Sequence, residues 1–214
     1  MMIRVMIFLF MFHILFISCN STKKRLSNEE LIEIVKEEGN RITAITQQVL
    51  GSKLKSTINE QGIPQALKYC NLQAYPLIDS LEEKMDVEVK RASIKTRNPQ
   101  DSPDRNELKI INNYLSDIKK SQTPEVYVSI QQNEIHFAKP IILNDQLCLN
   151  CHGQVGKDIT DENYHVIKAL YPEDNATGHQ LGDLRGIWSL KFNRDYFEKR
   201  AIEMSVEKNN STKI

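Results

Sequence analysis

The chain has 214 residues, with 28 basic side chains against 28 acidic ones and an apolar share of 40%. This balance lacks the basic excess of a nucleic-acid-binding surface and the acidic run of a charged tail. The length beyond the first twenty residues suits one domain with a real core. At the start, MMIRVMIFLFMFHILFISCN carries one early charge, Arg4, then a run from Val5 to Ile17 that is apolar except for His13. The run is shorter than the roughly 20 residues a membrane-crossing helix needs, and it fits the apolar part of an export signal. Ser18 and Cys19 follow, then the polar NSTKKRLSNEE. A small residue and a Cys at this point match a bacterial lipobox, with Phe16 in place of the usual aliphatic residue. The expected organisation is a signal over 1–18, a lipidated start and linker over 19–28 with the lipid on Cys19, one domain over 29–206, and a polar tail over 207–214.

Ser27 and Glu30 form a capping box that opens a helix, and Leu31, Ile34, Val35, Ile42, Ile45 and Val49 mark its apolar face. Gly51 and Gly62 punctuate, and Pro64 suits the first turn of a second helix with a stripe of Leu67, Cys70, Ala74, Leu77 and Leu81. Pro76 should kink that helix, because it has no N–H for the carbonyl of Leu72. VEVKRASI, residues 87–94, predicts a strand, and KTRNPQDSPD a turn-rich loop. Leu108, Ile111, Leu115 and Ile118 predict a helix. Val126, Val128 and Ile130, then Ile135 and Phe137, predict two strands around a turn at Gln132-Asn133. DENYHVIKALYP predicts a helix that Pro172 stops, IWSLKFN a strand over 187–193, and residues 195–206 a last helix. Strands near 126–141 and 187–193 suit antiparallel pairing. The expected class is α+β, a small antiparallel sheet with flanking helices.

The chemistry concentrates in QLCLNCHGQVG, residues 146–156, which contains Cys148-x-x-Cys151-His152. Zinc requires four ligands, and adjacent Cys and His rarely serve one tetrahedral ion. A redox dithiol of the thioredoxin kind would sit in a βαβ unit, which the flanks lack. Covalent haem c suits all three residues. Two thiols one helical turn apart reach the two vinyl groups, and the following imidazole ligates the iron. One motif means one haem, attached outside the cytoplasm. With Cys19 lipidated, Cys70 is left over, as a buried inert thiol, an intermolecular disulfide or an iron ligand. Rivals for a second iron ligand are His136, His165, His179, Met85 and Met204. Arg91, Lys95, Arg97 and Arg185 are candidate partners for haem carboxylates, and Trp188 and Tyr171 for packing on the ring.

Four blocks in order, ALKYCNLQA, VKRASIKTRNPQDSPD, CLNCHG and YPEDNATGHQLGDLRGIWSL, resemble a family of exported c-type haem domains with a PAS-like fold. That family was long classed as a domain of unknown function. It occurs alone and as the sensory part of bacterial sensor kinases and chemoreceptors. The resemblance spans roughly residues 30–200 and implies that Cys70 is the iron ligand opposite His152. It also favours Arg97 and Arg185 among the cations. Gln154-Val155, Asp101 and His179 depart from the family pattern in loops around the haem and leave the ligands intact.

The expected function is a lipid-anchored, periplasm-facing haem sensor of redox state or a small gaseous ligand. It has no catalytic residues and needs a redox or signalling protein partner at the membrane. The alternatives are an electron-transfer cytochrome and a peroxidase-like enzyme.

Overall fold

A computed structural model describes the backbone of residues 26–211 and, apart from residues 71, 73, 74 and 205–211, their side chains. The export signal and Cys19 lie outside the described residues. The capping box forms as expected. Ser27 Oγ accepts from the Glu30 N–H at 3.1 Å, and a Glu30 carboxylate oxygen accepts from the Ser27 N–H at 2.9 Å. It opens α1, Asn28–Met85, a single long element that breaks only at Gly62, where φ is 82° and ψ is 173°. The interruption expected from Gly51 onward is absent. One helical glycine costs about 1 kcal/mol, which a continuous helix can absorb, whereas Gly62 takes a positive φ that side chains disfavour. We call residues 28–61 the first arm and residues 63–85 the second. Pro64 begins the second arm, as expected. Pro76 sits inside it without a second non-helical residue. Pro76 and Leu72 both lie on its exposed side, so the carbonyl that loses a donor is open to water.

The strands are β1 (Glu88–Ala92), β2 (Tyr127–Ile130), β3 (Glu134–Ile142) and β4 (Leu184–Asn193). They make one antiparallel sheet in the order β1-β4-β3-β2. The remaining helices are α2 (Arg105–Lys119), α3 (Leu149–His152), α4 (Asp161–Leu170) and α5 (Arg194–Ser211). α5 continues past the expected end near Val206. The result is an α+β fold of the PAS-like kind.

The period-2 alternation of the strands splits the sheet into two faces. Val89, Ile135, Phe137, Trp188, Leu190 and Phe192 pack with Leu31, Val35 and Ile42 of the first arm. At the closest approach, a Cβ on Gly39 would come within 2.5 Å of the Phe137 ring. The other face carries Ala92, Ala138 and Ile187 under Ile110, Ile111 and Tyr114 of α2, whose Tyr114 hydroxyl donates to the Ala138 carbonyl at 3.1 Å. A third cluster lies beyond the break at Gly62: Leu67 of the second arm packs on Ile159 and Ile167, with Ile63, Cys151 and Tyr164 around them. This last contact brings the second arm, and with it Cys70, to the Cys-x-x-Cys-His segment.

Candidate functional site

Three loops meet at one end of the sheet, after β1, after β3 and before β4. Hydrogen bonds lace them together. Ser93 Oγ donates to the Arg185 carbonyl at 2.7 Å, the Asn175 N–H donates to the Thr96 carbonyl at 2.9 Å, and the Leu143 N–H donates to the Asp183 carbonyl at 3.0 Å. Cys148 ends a 3-10 turn, Gln146–Cys148, whose N-terminal Asp145 accepts from the Leu147 N–H at 2.9 Å. Cys151 and His152 follow on α3, so both thiols and the imidazole ride on one tight turn. Gly153 closes it. A Cβ there would meet Asp158 at 2.5 Å and the Leu149 carbonyl at 2.7 Å, so only glycine fits.

The imidazole is held by its inner nitrogen. His152 Nδ1 lies 2.8 Å from the Ala176 carbonyl oxygen. A carbonyl only accepts, so Nδ1 carries the proton and Nε2 keeps a lone pair. The loop that supplies Ala176 also bonds to the backbone of the turn, through His179 N–H to the His152 carbonyl at 2.9 Å and Gly178 N–H to the Gly153 carbonyl at 2.8 Å. Burial, then the nearby Arg185 and Arg97 charges, hold the His152 imidazole far below its usual pKa and hence neutral.

All three described cysteines, Cys70, Cys148 and Cys151, are free thiols. Burial pushes the Cys151 thiol up to about 11, opposed by Arg97. Burial also raises Cys70, opposed by Arg91 and Arg97, and raises Cys148 together with the Asp145 charge. Cys70 and Cys151 are close enough to interact electrostatically. Among the described residues no three His, Cys, Asp or Glu side chains converge as for a metal ion.

The cations divide by occupation. Arg97 is engaged: Nε pairs with Asp174 Oδ1 at 2.8 Å, Nη2 donates to the Cys151 carbonyl, and the guanidinium lies 5.9 Å from the Tyr171 ring centre. Arg185 is engaged too, with Nη1 donating to Ser93 Oγ at 2.8 Å and to the Lys95 carbonyl at 2.9 Å; burial, then Arg97, brings it down to about 10. Both therefore fix loops. Arg91 differs. It lies on β1 opposite Trp188, and its Nε is buried without a hydrogen-bond partner. Lys95 Nζ reaches the Thr177 carbonyl at 3.5 Å. Trp188 is 4% exposed and sits in the main core, filling space between the sheet and the first arm.

Of the rival ligands, only His179 shares the site, its ring 6.4 Å from that of His152 and nearly edge-on, with Nε2 buried and unpartnered. His136 is buried on the α2 face against Ser189, and His165 is exposed on α4. Met85 and Met204 line a small pocket with Phe197, away from His152. Two contributors went unnoticed in the sequence. Asp174 is a buried carboxylate with no local motif to announce its partner. Tyr75, five residues after Cys70, donates to Asp101 Oδ1 at 2.7 Å and so ties the second arm to the loop after β1. Asp101, one of the departures from the family pattern, is thus an acceptor in use.

Three features fit a haem here. The thiols are free and one turn apart, one imidazole nitrogen is free while the other is committed, and two buried nitrogens, Arg91 Nε and His179 Nε2, lack partners. An open groove of about 420 Å³ runs between the two arms, lined by Val49, Ser52, Lys53, Ser56, Tyr69 and Leu77. Tyr69 of its lining precedes Cys70 in the chain, and Lys55 of the first arm pairs with Asp145, three residues before Cys148, at 3.4 Å.

The crystal structure of the cyanobacterial haem protein Tll0287 superimposes with a TM-score of 0.53 at 20% identity, covering 78% of this chain and 97% of that one. At that identity the match shows the fold. No curated protein matches the chain. The sequence profile of the Tll0287-like family matches residues 24–193, and the chain belongs to that family. The resemblance read from the four sequence blocks is borne out as to family and fold.

Proposed function

We propose that this member of the Tll0287-like family is an exported, lipid-anchored, mono-haem c-type protein that senses redox state or a small ligand at the periplasmic face of a membrane. The observation that carries the haem reading is His152, with Nδ1 committed to the Ala176 carbonyl and Nε2 left free beside two unpaired thiols. The description of the cyanobacterial relative as a haem protein supports it. In this reading Cys148 and Cys151 would hold the haem covalently through their thiols, and His152 Nε2 would ligate the iron. Bound haem would supply a one-electron iron centre with room for a second protein ligand. Cys70 is the proposed second ligand, and Arg91, with Nε unpartnered, the proposed cation for a haem carboxylate.

Sensing is favoured over plain electron transfer by where the two iron ligands come from. His152 rides on the turn after β3. Cys70 rides on the second arm, which follows the glycine break at residue 62 and packs on the haem segment through Leu67. A ligand pair drawn from two elements far apart in sequence would let one ligand leave on reduction, whereas an electron carrier needs both to stay. Export is supported by the apolar run Val5–Ile17 with Ser18-Cys19 behind it. No helix among the described residues is long and apolar enough to cross a membrane, so attachment in this reading rests on the lipid at Cys19.

The test uses the full chain expressed with its own leader in a host that matures c-type haem. After denaturation and acid-acetone extraction, haem should stay with the polypeptide, seen as one haem in the intact mass and in a pyridine haemochrome spectrum. The pair Cys148→Ser with Cys151→Ser should release it, and Cys19→Ala should move the protein from the membrane fraction to the soluble one. A wild-type chain that gives up its haem, or never holds any, ends this reading.

A further inference from the structure

The polar contacts around His152 form a closed circuit, and two of its members have no role in the reading above. Arg97 Nη2 donates to the carbonyl of Cys151, the residue that precedes His152. Arg97 Nε donates to Asp174 Oδ1 at 2.8 Å. The same oxygen accepts from the Ala176 N–H at 3.3 Å. Ala176 in turn presents its carbonyl to His152 Nδ1 at 2.8 Å. The path leaves the backbone just before His152 and returns to its side chain.

We propose that Arg97 and Asp174 are positioning residues for His152, a buried ion pair that fixes the Ala176 carbonyl against Nδ1 and so sets both the tautomer and the direction of Nε2. Their burial supports this assignment. The Asp174 side chain is fully buried and that of Arg97 is 11% exposed. Taking such a pair out of water costs about as much as its attraction returns, so stability alone is a weak reason to keep one. Asp174 Oδ2 is moreover left buried without a partner. What the pair does provide is geometry. A planar guanidinium presents two N–H directions at a fixed angle, and here they join two loops, one carrying Cys151 and the other Ala176. Outer partners of this kind hold an imidazole ligand in one orientation. A lysine has no fork of that shape. The inference rests on the haem reading only for the use made of Nε2; the hydrogen-bonded circuit is independent of it.

The test follows the His152 Nδ1 proton by NMR in the reduced full chain, solubilised from its membrane. Asp174→Ala removes the acceptor of the Ala176 N–H, and exchange of that proton with solvent should quicken about tenfold or more. Asp174→Asn keeps an oxygen at the same place and should retain protection within about threefold of wild type. Asp104→Ala, which removes the cap of α2 on the far side of the sheet, serves as a control for general destabilisation. It should leave the Nδ1 proton as in wild type. The inference is overturned if Asp174→Ala exchanges like wild type, or if Asp104→Ala quickens exchange as much. Should Asp174→Ala fail to fold, Asp174→Asn and Arg97→Gln decide in its place: protection kept in the first and lost in the second supports the circuit, and the same behaviour in both refutes it. A pyridine haemochrome on each sample keeps the two readings apart. A haem-free wild type counts against the proposed function and leaves the exchange result to decide this inference.

Discussion

Among the described residues a histidine sits beside an ion pair with a buried carboxylate at the loop end of the sheet and again on the face under α2. At the loop end are His152 and the pair Arg97–Asp174. Under α2 are His136, whose Nε2 lies 2.8 Å from Ser189 Oγ, and the pair Lys90–Glu107 at 2.9 Å. Each pair leaves one buried carboxylate oxygen unpartnered, Asp174 Oδ2 and Glu107 Oε1. Both histidines are held below their usual pKa, burial being the first cause in each. The difference lies in what each network is attached to. Under α2 it ends on structure: Glu107 accepts from the Asp104 N–H at 2.8 Å and completes the capping box of the helix, and His136 bridges neighbouring strands. At the loop end it is bonded to backbone atoms of the turn that carries the thiols. A neutral histidine beside an ion pair is therefore not a site by itself. The unpaired thiols carried on the same turn distinguish the two.

The comparison breaks first at Glu107. Glu107→Ala removes the buried partner of Lys90, which keeps its bond to the Ser102 carbonyl, together with half of a capping box, and should cost about 2 kcal/mol of stability. In chemical denaturation the midpoint should fall, while any haem spectrum of the folded protein stays as in wild type. A changed spectrum would mean that the α2 face reaches the site. A smaller effect, and one that sharpens the comparison, is expected at His136. Its folded pKa lies below the unfolded value near 6.5, so the unfolded chain binds the extra proton first and stability falls as pH drops below about 6.5. Glu107, Glu134 and Asp104 oppose the depression, and Lys191 adds to it. Each pH unit in that window contributes at most about 1.4 kcal/mol. His136→Gln should flatten this part of the stability profile; an unchanged slope would assign it to other groups.

Much of this was legible in the chain. Ser27-x-x-Glu30 marks the start of α1 because a capping box is local chemistry, and the alternation from Ile135 and from Ile187 yields strands because one face of each is buried. The Cys148-x-x-Cys151-His152 spacing is legible for the same reason: its chemistry needs no partner far away in sequence. What stayed hidden depends on distance. Arg97 and Asp174 are 77 positions apart, and nothing near either tells a propionate partner from a loop clamp. His136 and His179 read alike as candidates, and only the sheet register and the loop before β4 separate them. Gly51 and Gly62 also look equivalent. Only the second has the positive φ that breaks α1 and lets the second arm carry Cys70 to the haem segment.

The most direct test of the central claim is the electron paramagnetic resonance spectrum of the ferric protein, recorded for wild type and for Cys70→Ser. The account predicts a low-spin signal of narrow anisotropy, as thiolate opposite imidazole gives, and its loss in Cys70→Ser. A wide low-spin signal of the bis-nitrogen or His–Met kind, unchanged by Cys70→Ser, would take Cys70 off the iron and contradict the sensor reading in favour of electron transfer.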